Sequence, residues 1–199
     1  MLPFDTFLAL VSFAFVTSIT PGPNNIMLTA SGVNFGFTRT VPHMLGIWAG
    51  FSLMLLVVGV GLGAVFAASP VVQTALKIIG AVYMVWLAWK IANAGTVSDG
   101  GPAQAHPMSF AGGALFQAVN PKAWVLALGA MALYVRPDRL VTDVVLVTIV
   151  FALVGLPCVA VWTGFGHGLR NLLRDTAKVR VFNIVMAALL VVSIVPMVV

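Results

Sequence analysis

The sequence predicts an all-α membrane protein, in which six transmembrane helices form two inverted three-helix repeats and the first helix of each repeat is broken at a proline. Of its 199 residues, 61% are hydrophobic and 8% are charged, whereas a soluble domain carries about 25% charged residues. The net charge is +5, but the basic residues lie at the ends of apolar segments. This placement favours the lipid bilayer over nucleic acid as a partner.

Six apolar segments are long enough to cross a bilayer, which requires about 20 mainly apolar residues. These segments are residues 4–30, 41–66, 71–92, 109–134, 141–168 and 179–199. No lysine or arginine precedes the first segment, so we expect it to remain a membrane span and not to be a cleaved signal peptide. Only the connection at 93–108 is rich in glycine, proline and polar residues. The chain is therefore predicted to form one integral membrane domain over 1–199.

The polar connection divides the chain into two halves, 1–92 and 109–199, with three predicted spans each. An offset of 100 residues places Thr20-Pro21 over Asn120-Pro121, so both halves carry a proline break in their first span. Because three is an odd number, the second half must enter the membrane from the opposite side. Such inverted repeats are typical of secondary transporters.

The lysine and arginine residues are distributed unequally between the two sides of the predicted membrane. The connections after spans 1, 3 and 5 contain Arg39, Lys90, Arg170, Arg174, Lys178 and Arg180. The other side contains Lys77, Arg136 and Arg139. The positive-inside rule then places both chain termini outside the cytoplasm.

The two proline breaks are predicted to form a substrate-binding site. A proline ends the preceding helix but is favoured at the first position of the next one, so Thr20 and Asn120 are each expected to be an N-cap. Gly22 and Pro23 lengthen the first break, and asparagines can bond the freed backbone groups. The expected substrate-binding residues are Thr20, Pro21, Gly22, Pro23, Asn24, Asn25, Asn120, Pro121, Lys122 and Trp124.

A helix that restarts inside the membrane presents unpaired N–H groups and a partial positive charge, which makes its start an anion site. In inverted repeats the two restarted helices should meet near the midplane, where Lys122 adds a full charge. Two simpler explanations exist: the prolines are kinks, and the lysine reaches an interface. Trp124 lies either at the cavity or, like Trp48, Trp86, Trp89 and Trp162, in an interfacial belt.

At these residues the sequence resembles the LysE/RhtB family of bacterial amino-acid exporters. The motifs that carry the resemblance are Pro21-Gly22-Pro23, Asn120-Pro121-Lys122, Gly46 with Gly50, and "GAVYMVWLAWK" from Gly80 to Lys90. The resemblance covers nearly the whole chain. It implies export of amino acids or their derivatives across the bacterial inner membrane, driven by the proton gradient or the membrane potential. It also implies a homodimer, and only the resemblance gives the direction of transport.

The sequence favours a neutral, zwitterionic amino acid as the substrate. A cationic side chain would need a buried acidic partner, and none of the five aspartates lies deep in an apolar segment; the chain has no glutamate. Many members of the family carry an aspartate directly after "PGP", where this chain has Asn24. The departure puts in doubt a role for this position in holding an ammonium group or carrying a proton.

The remaining histidine, glycine and cysteine residues give less specific predictions of function. His43 is either a proton relay or a histidine packed between helices. Gly46 and Gly50 suit close helix packing within the subunit or at a dimer interface, and the glycines at 59, 61 and 63 suit either tight packing or flexibility. Three scattered histidines and the single Cys158 do not form a metal site, and no cofactor is expected.

Three function classes other than transport place different demands on the sequence. A membrane redox enzyme needs paired cysteines, and an intramembrane hydrolase needs a nucleophile with a base or paired acids; neither pattern occurs in the sequence, so no enzymatic activity is expected. A membrane scaffold or assembly protein would not need capped helix breaks at the midplane. The scaffold or assembly protein stays an alternative, and so does an exporter of another small ion, such as a metal cation.

Overall fold

A computed structural model describes residues 3–94, 106–173 and 175–195. Within these ranges the secondary structure is helical and contains no strand. The helices are α1 (Phe4–Ile19), α2 (Pro23–Phe35), α3 (Phe37–Val57), α4 (Gly63–Ala68), α5 (Pro70–Ala92), α6 (Phe110–Val119), α7 (Pro121–Tyr134), α8 (Leu140–Leu172) and α9 (Thr176–Val192). The predicted all-α class is confirmed, while most of the predicted connection at 93–108 lies outside the described residues.

Three helical segments of the described chain are long and apolar enough to cross a membrane: Phe37–Gly61, Pro70–Ala92 and Pro137–Arg170. Helices α1 and α2 together make a fourth, bent by 51° at their break. The predicted span 109–134 is divided between the short helices α6 and α7. Helix α9 has 17 residues, and the last predicted span extends past the described residues. The helices fit a multi-pass membrane protein, and the six-span arrangement stays a prediction.

The first break differs from the prediction by two residues. Helix α2 begins at Pro23 with Gly22 as its N-cap, so Thr20 is not an N-cap and Pro21 is not the first helical residue. Thr20 instead closes α1, because its N–H donates to Val16 O at 3.1 Å and its hydroxyl donates to the same oxygen. Pro23 takes the first position of α2 for the reason expected of Pro21, namely that no N–H is needed there.

The second break has the predicted form. Asn120 is the N-cap of α7 and Pro121 is its first residue. The side-chain Oδ1 of Asn120 accepts a hydrogen bond from Lys122 N at 3.2 Å. This bond satisfies one of the N–H groups that a helix start leaves without a backbone partner.

Helix α2 is the central helix of the described fold. Eleven of its 13 residues are buried, and it packs against α8, α9 and α3. Its contact with α8 needs glycine, since a Cβ on Gly32 would lie 2.5 Å from Thr163 O. Helix α7, its counterpart at the second break, has only three buried residues.

The glycines of α3 serve packing inside the subunit. A Cβ on Gly50 would lie 2.6 Å from the backbone of Ala114 in α6, and one on Gly46 would overlap Phe110 O. The prediction of close helix packing is confirmed, with α6 as the partner. A π-helical turn follows α3, and Gly61 within it has a φ of 125°, which glycine adopts at little cost. A Cβ on Gly59 would lie 2.6 Å from Val144 Cγ1, so tight packing explains this glycine.

Candidate substrate site

The two helix breaks are in direct contact. The ammonium group of Lys122, at the start of α7, donates to Thr20 O at 2.9 Å and to Pro21 O at 3.3 Å. A Cβ on Gly22 would lie 2.8 Å from Lys122 Cδ, so the absent side chain of Gly22 makes room for the lysine. The residues that the sequence places 100 positions apart therefore form one site.

A cavity of about 70 Å³ lies beside this contact, which is room for several water molecules. Its polar lining comes from Thr17, Ser18, Asn24, Asn25, Trp48, Ser52, Asn120 and Lys122. Its apolar lining includes Ile47, Phe51, Leu126, Phe151 and Val159. One small cavity thus combines hydrogen-bonding groups with an apolar wall, as ligand sites commonly do.

The structure brings only part of the predicted residue set to the cavity. Gly22, Asn24, Asn25, Asn120 and Lys122 line it. Thr20 and Pro21 take part through their carbonyl groups, which accept from the lysine. Pro23, Pro121 and Trp124 are not among the lining residues.

The two asparagines after the first break have different partners. Asn25 Nδ2 donates to Ser18 O and Thr20 O, each at 2.9 Å, and so satisfies carbonyl groups at the end of α1, as predicted. Asn24 instead forms a reciprocal amide pair with Gln117 of α6: Nδ2 donates to Gln117 Oε1 at 2.9 Å, and Gln117 Nε2 donates back to Asn24 Oδ1 at 3.1 Å. Sequence reasoning missed Gln117, although a polar amide three residues before Asn120, within an apolar segment, could have indicated it.

The charge at the cavity is positive, and none of the residues that line it is acidic. The start of α7 is capped by Asn120, but no side chain caps α2. Within the described part of the chain, the first N–H groups of α2 therefore have no capping side chain beside the cavity. The lysine ammonium has three N–H donors, and the carbonyl groups of Thr20 and Pro21 accept from two of them. An uncapped helix start and a lysine together suit a carboxylate.

One aspartate is more buried than the sequence suggested. The side chain of Asp143, in the first turn of α8, is 1% exposed and forms a two-point ion pair with Arg136, at 2.7 Å and 2.8 Å. Asp143 does not line the cavity. The Asp143 carboxylate is therefore already paired with Arg136 at one end of α8. It is not placed to bind a cationic substrate at the helix breaks.

The tryptophans divide between the cavity, the helix contacts and the lipid-facing surface. Trp48 was expected in an interfacial belt, but it lines the cavity and donates to a backbone carbonyl of α8 at 2.8 Å. Trp162 donates to the last carbonyl of α1 at 3.0 Å. Trp86 and Trp89 are 45% and 63% exposed, in line with a belt. Trp124 donates to Ala118 O at 2.8 Å.

His43 is packed between helices and 2% exposed. Neither of its ring nitrogens has a hydrogen-bond partner in the described part of the chain. It lies one helical turn before Ile47, which lines the cavity, so it is close to the site without being part of its wall. Across the described residues, no group of three or more His, Cys, Asp or Glu side chains could hold a metal ion.

Comparison with known proteins gives a consistent family assignment. The sequence profile of the LysE type translocator family matches residues 15–195. Two similar proteins are the cysteine/O-acetylserine efflux proteins of Escherichia coli (strain K12) and Shigella flexneri. Each is 35% identical to this chain over 182 residues, covering 90% of this chain and 91% of the relative. No solved structure matches the chain significantly. The chain belongs to the LysE type translocator family.

Proposed function

We propose that this protein is a secondary transporter that exports a small, neutral amino acid or amino-acid derivative from the cytoplasm. The observation that carries the proposal is the contact between the two helix breaks, made by Lys122 with Thr20 O and Pro21 O beside a small cavity. Irregular backbone at membrane depth is tolerated where protein or a water-filled cavity surrounds it. A scaffold protein would have no need of such a site.

The cavity chemistry supports a zwitterionic substrate. The carboxylate of the substrate would bind the uncapped start of α2 and the remaining donor of Lys122, and its ammonium would bind amide and carbonyl oxygens near Asn25. The apolar wall would hold a short, uncharged side chain. Relatives at 35% identity are named for efflux of cysteine and O-acetylserine, both of which have neutral side chains near pH 7. We therefore propose substrates of this class.

Alternating access between two inverted halves is the proposed mechanism. The packing supports it: α3 of the first half packs against α6, the first helix of the second half, and α8 packs against α1 in the same way. Helices α3 and α8 also pack against each other, as do α5 and α9. We further propose an inner-membrane location with both termini outside the cytoplasm, which reporter fusions at each end would test.

The resemblance also implies a homodimer, and we propose this state for the protein in the membrane. Light scattering of the purified protein in detergent, corrected for bound detergent, would measure its mass directly. A single-chain mass under mild conditions would contradict the homodimer without affecting the proposed substrate site.

Efflux of labelled amino acids from cells tests the proposed function. The panel should contain neutral, cationic and anionic side chains, and wild type is compared with Lys122→Met. Lys178→Met is the matched control, because Lys178 is exposed and far along the chain from both breaks. We expect faster efflux of a neutral compound with wild type and with the control, and loss of that efflux with Lys122→Met. No efflux of any compound by wild type would favour the scaffold alternative.

A further inference from the structure

A line of buried polar side chains runs from the cavity along α2 to its far end. Its six members are each at most 7% exposed: Gln117, His43, Thr40, Ser31, Asn34 and Asn183. We call these residues the polar seam. Polar groups are costly to bury in an apolar surrounding unless they are hydrogen-bonded. Six of them between the cavity and the far end of α2 in a membrane domain therefore indicate a function beyond packing.

Two reciprocal amide pairs join the halves of the chain at the two ends of the seam. At the cavity, Asn24 of α2 pairs with Gln117 of α6. At the other end, Asn34 Nδ2 donates to Asn183 Oδ1 of α9 at 2.8 Å, and Asn183 Nδ2 donates to Asn34 Oδ1 at 3.0 Å. Asn183 Nδ2 also donates to Ala94 O at 3.0 Å. Relative motion of the halves must exchange these bonds for others.

The middle of the seam contains a satisfied pair and an unsatisfied histidine. Ser31 and Thr40 share a hydrogen bond of 2.9 Å, and Thr40 also donates to Gly36 O at 2.8 Å. His43, one turn further along α3, has no partner for either ring nitrogen among the described residues. Gly113 of α6 makes room for its ring, since a Cβ there would lie 3.2 Å from His43 Cδ2.

The seam has the length and position of a path from the cavity to one membrane surface. Asn24 and Asn34 are ten residues apart on α2, about 15 Å at 1.5 Å per residue. This is about half of the roughly 30 Å hydrocarbon core. The far end lies beside Gly36, where a Cβ would be 3.0 Å from Arg170 Nη1. Arg39 and Arg170 belong to the side that the positive-inside rule assigns to the cytoplasm.

We propose that the polar seam is the substrate path between the cytoplasm and the central cavity, closed in this structure, and that His43 hydrogen-bonds the amino acid as it passes. The proposal rests on the proposed export function. Amide and hydroxyl pairs suit a seam that opens, because water replaces their hydrogen bonds when they separate. An imidazole provides one donor and one acceptor, which match the carboxylate and the ammonium-bearing end of a zwitterion.

Chemical bridging across the seam tests the path. The variant carries Asn34→Cys and Asn183→Cys with Cys158→Ala, so that no other cysteine reacts, and a short methanethiosulfonate bridge is removable by dithiothreitol. In proteoliposomes we expect bridging to lower efflux at least tenfold and reduction to restore it. The two single-cysteine variants, which the reagent can modify but not bridge, should lose much less. A bridged protein, verified by mass, that exports at its unbridged rate would overturn the path.

Two substitutions of His43 test its contact with substrate. His43→Leu removes a buried polar group without partners, so we expect an unchanged or raised thermal unfolding temperature together with at least a tenfold loss of efflux. His43→Gln, which keeps a donor and an acceptor, should retain most of the efflux. Efflux by His43→Leu at the wild-type rate would overturn the proposed contact between His43 and substrate. A loss of efflux that follows a loss of stability would also overturn it.

Counterflow separates substrate contact from proton relay. In this assay labelled and unlabelled substrate exchange without a net driving force. A contact role predicts that His43→Leu lowers counterflow as much as efflux, whereas intact counterflow with lost efflux would overturn our assignment. Failure of the seam is distinguishable from failure of the proposed function: in the former, wild type exports and Lys122→Met does not; in the latter, wild type itself exports nothing.

Discussion

Replacing Gly22 by alanine should impair transport by displacing Lys122. The φ of Gly22 is −179°, an extended conformation open to any residue, so the backbone itself accepts alanine. The new Cβ would lie 2.8 Å from Lys122 Cδ and 3.1 Å from Nζ. Carbon atoms pack best at about 3.5–4.0 Å, so the lysine chain must retreat by roughly 1 Å.

That retreat stretches the bonds from Lys122 Nζ to Thr20 O and Pro21 O, now 2.9 Å and 3.3 Å. A hydrogen bond to a charged group contributes about 1.5–3 kcal/mol, and the partial exposure of the lysine favours the lower end. At about 1.4 kcal/mol per tenfold change in rate, we expect efflux to fall about tenfold.

The assay is efflux of the best neutral substrate from proteoliposomes, with thermal unfolding measured on the same preparations. Gly129→Ala is the matched control, because it lies on α7 and a Cβ there meets nothing within 4 Å. Alanine is a poorer N-cap than glycine, so a modest drop in the unfolding temperature of Gly22→Ala is expected. Normal efflux by Gly22→Ala would show that the position of Lys122 does not matter for transport. An equal loss of efflux in Gly22→Ala and Gly129→Ala would show that the loss does not come from displacing Lys122.

Three further predictions concern stability and substrate size. Arg136→Gln should lower the unfolding temperature more than Asp143→Asn. It leaves a carboxylate that is 1% exposed without its charged partner, bonded among the described residues only to the backbone N–H of residue 136, whereas the arginine side chain is 36% exposed and reaches water. Equal effects would contradict this. Gly50→Ala should destabilise the protein by about 1–3 kcal/mol, because the new Cβ would overlap the backbone of Ala114. Denaturation in detergent measures this loss, and unchanged stability would show that α3 and α6 can separate freely. Gly155→Val should narrow the cavity and slow export of larger substrates more than smaller ones, so a uniform loss across a size series would argue against a cavity wall at this position.

The local chemistry of the second break could be predicted from sequence. Asn120 followed by Pro121 is an N-cap followed by a first helical residue, and the structure has this form. The first break allowed two starts, because Pro21 and Pro23 are both suited to the first position of a helix. In the structure Thr20 bonds back to Val16 and α2 begins at Pro23, a choice that composition alone does not fix.

Contacts between distant segments could not be predicted, because a single sequence does not specify partners. Gln117 pairs with Asn24 across 93 positions, and Asn183 pairs with Asn34 across 149. The repeat argument placed Lys122 near the first break, since symmetry itself supplies a long-range relation. Trp48 shows the opposite case: tryptophan is common at membrane interfaces, but here its indole N–H has a carbonyl partner inside the fold.

We expect this chain alone to move a neutral amino acid across a bilayer. Release of labelled O-acetylserine, cysteine and arginine from proteoliposomes that contain the purified protein, compared with protein-free liposomes, measures this movement. We predict faster release of at least one neutral compound with the protein, and arginine release no faster than from protein-free liposomes. Release of arginine as fast as the neutral compounds would rule out selectivity for neutral amino acids, and no release above the protein-free rate would rule out transport by this chain alone.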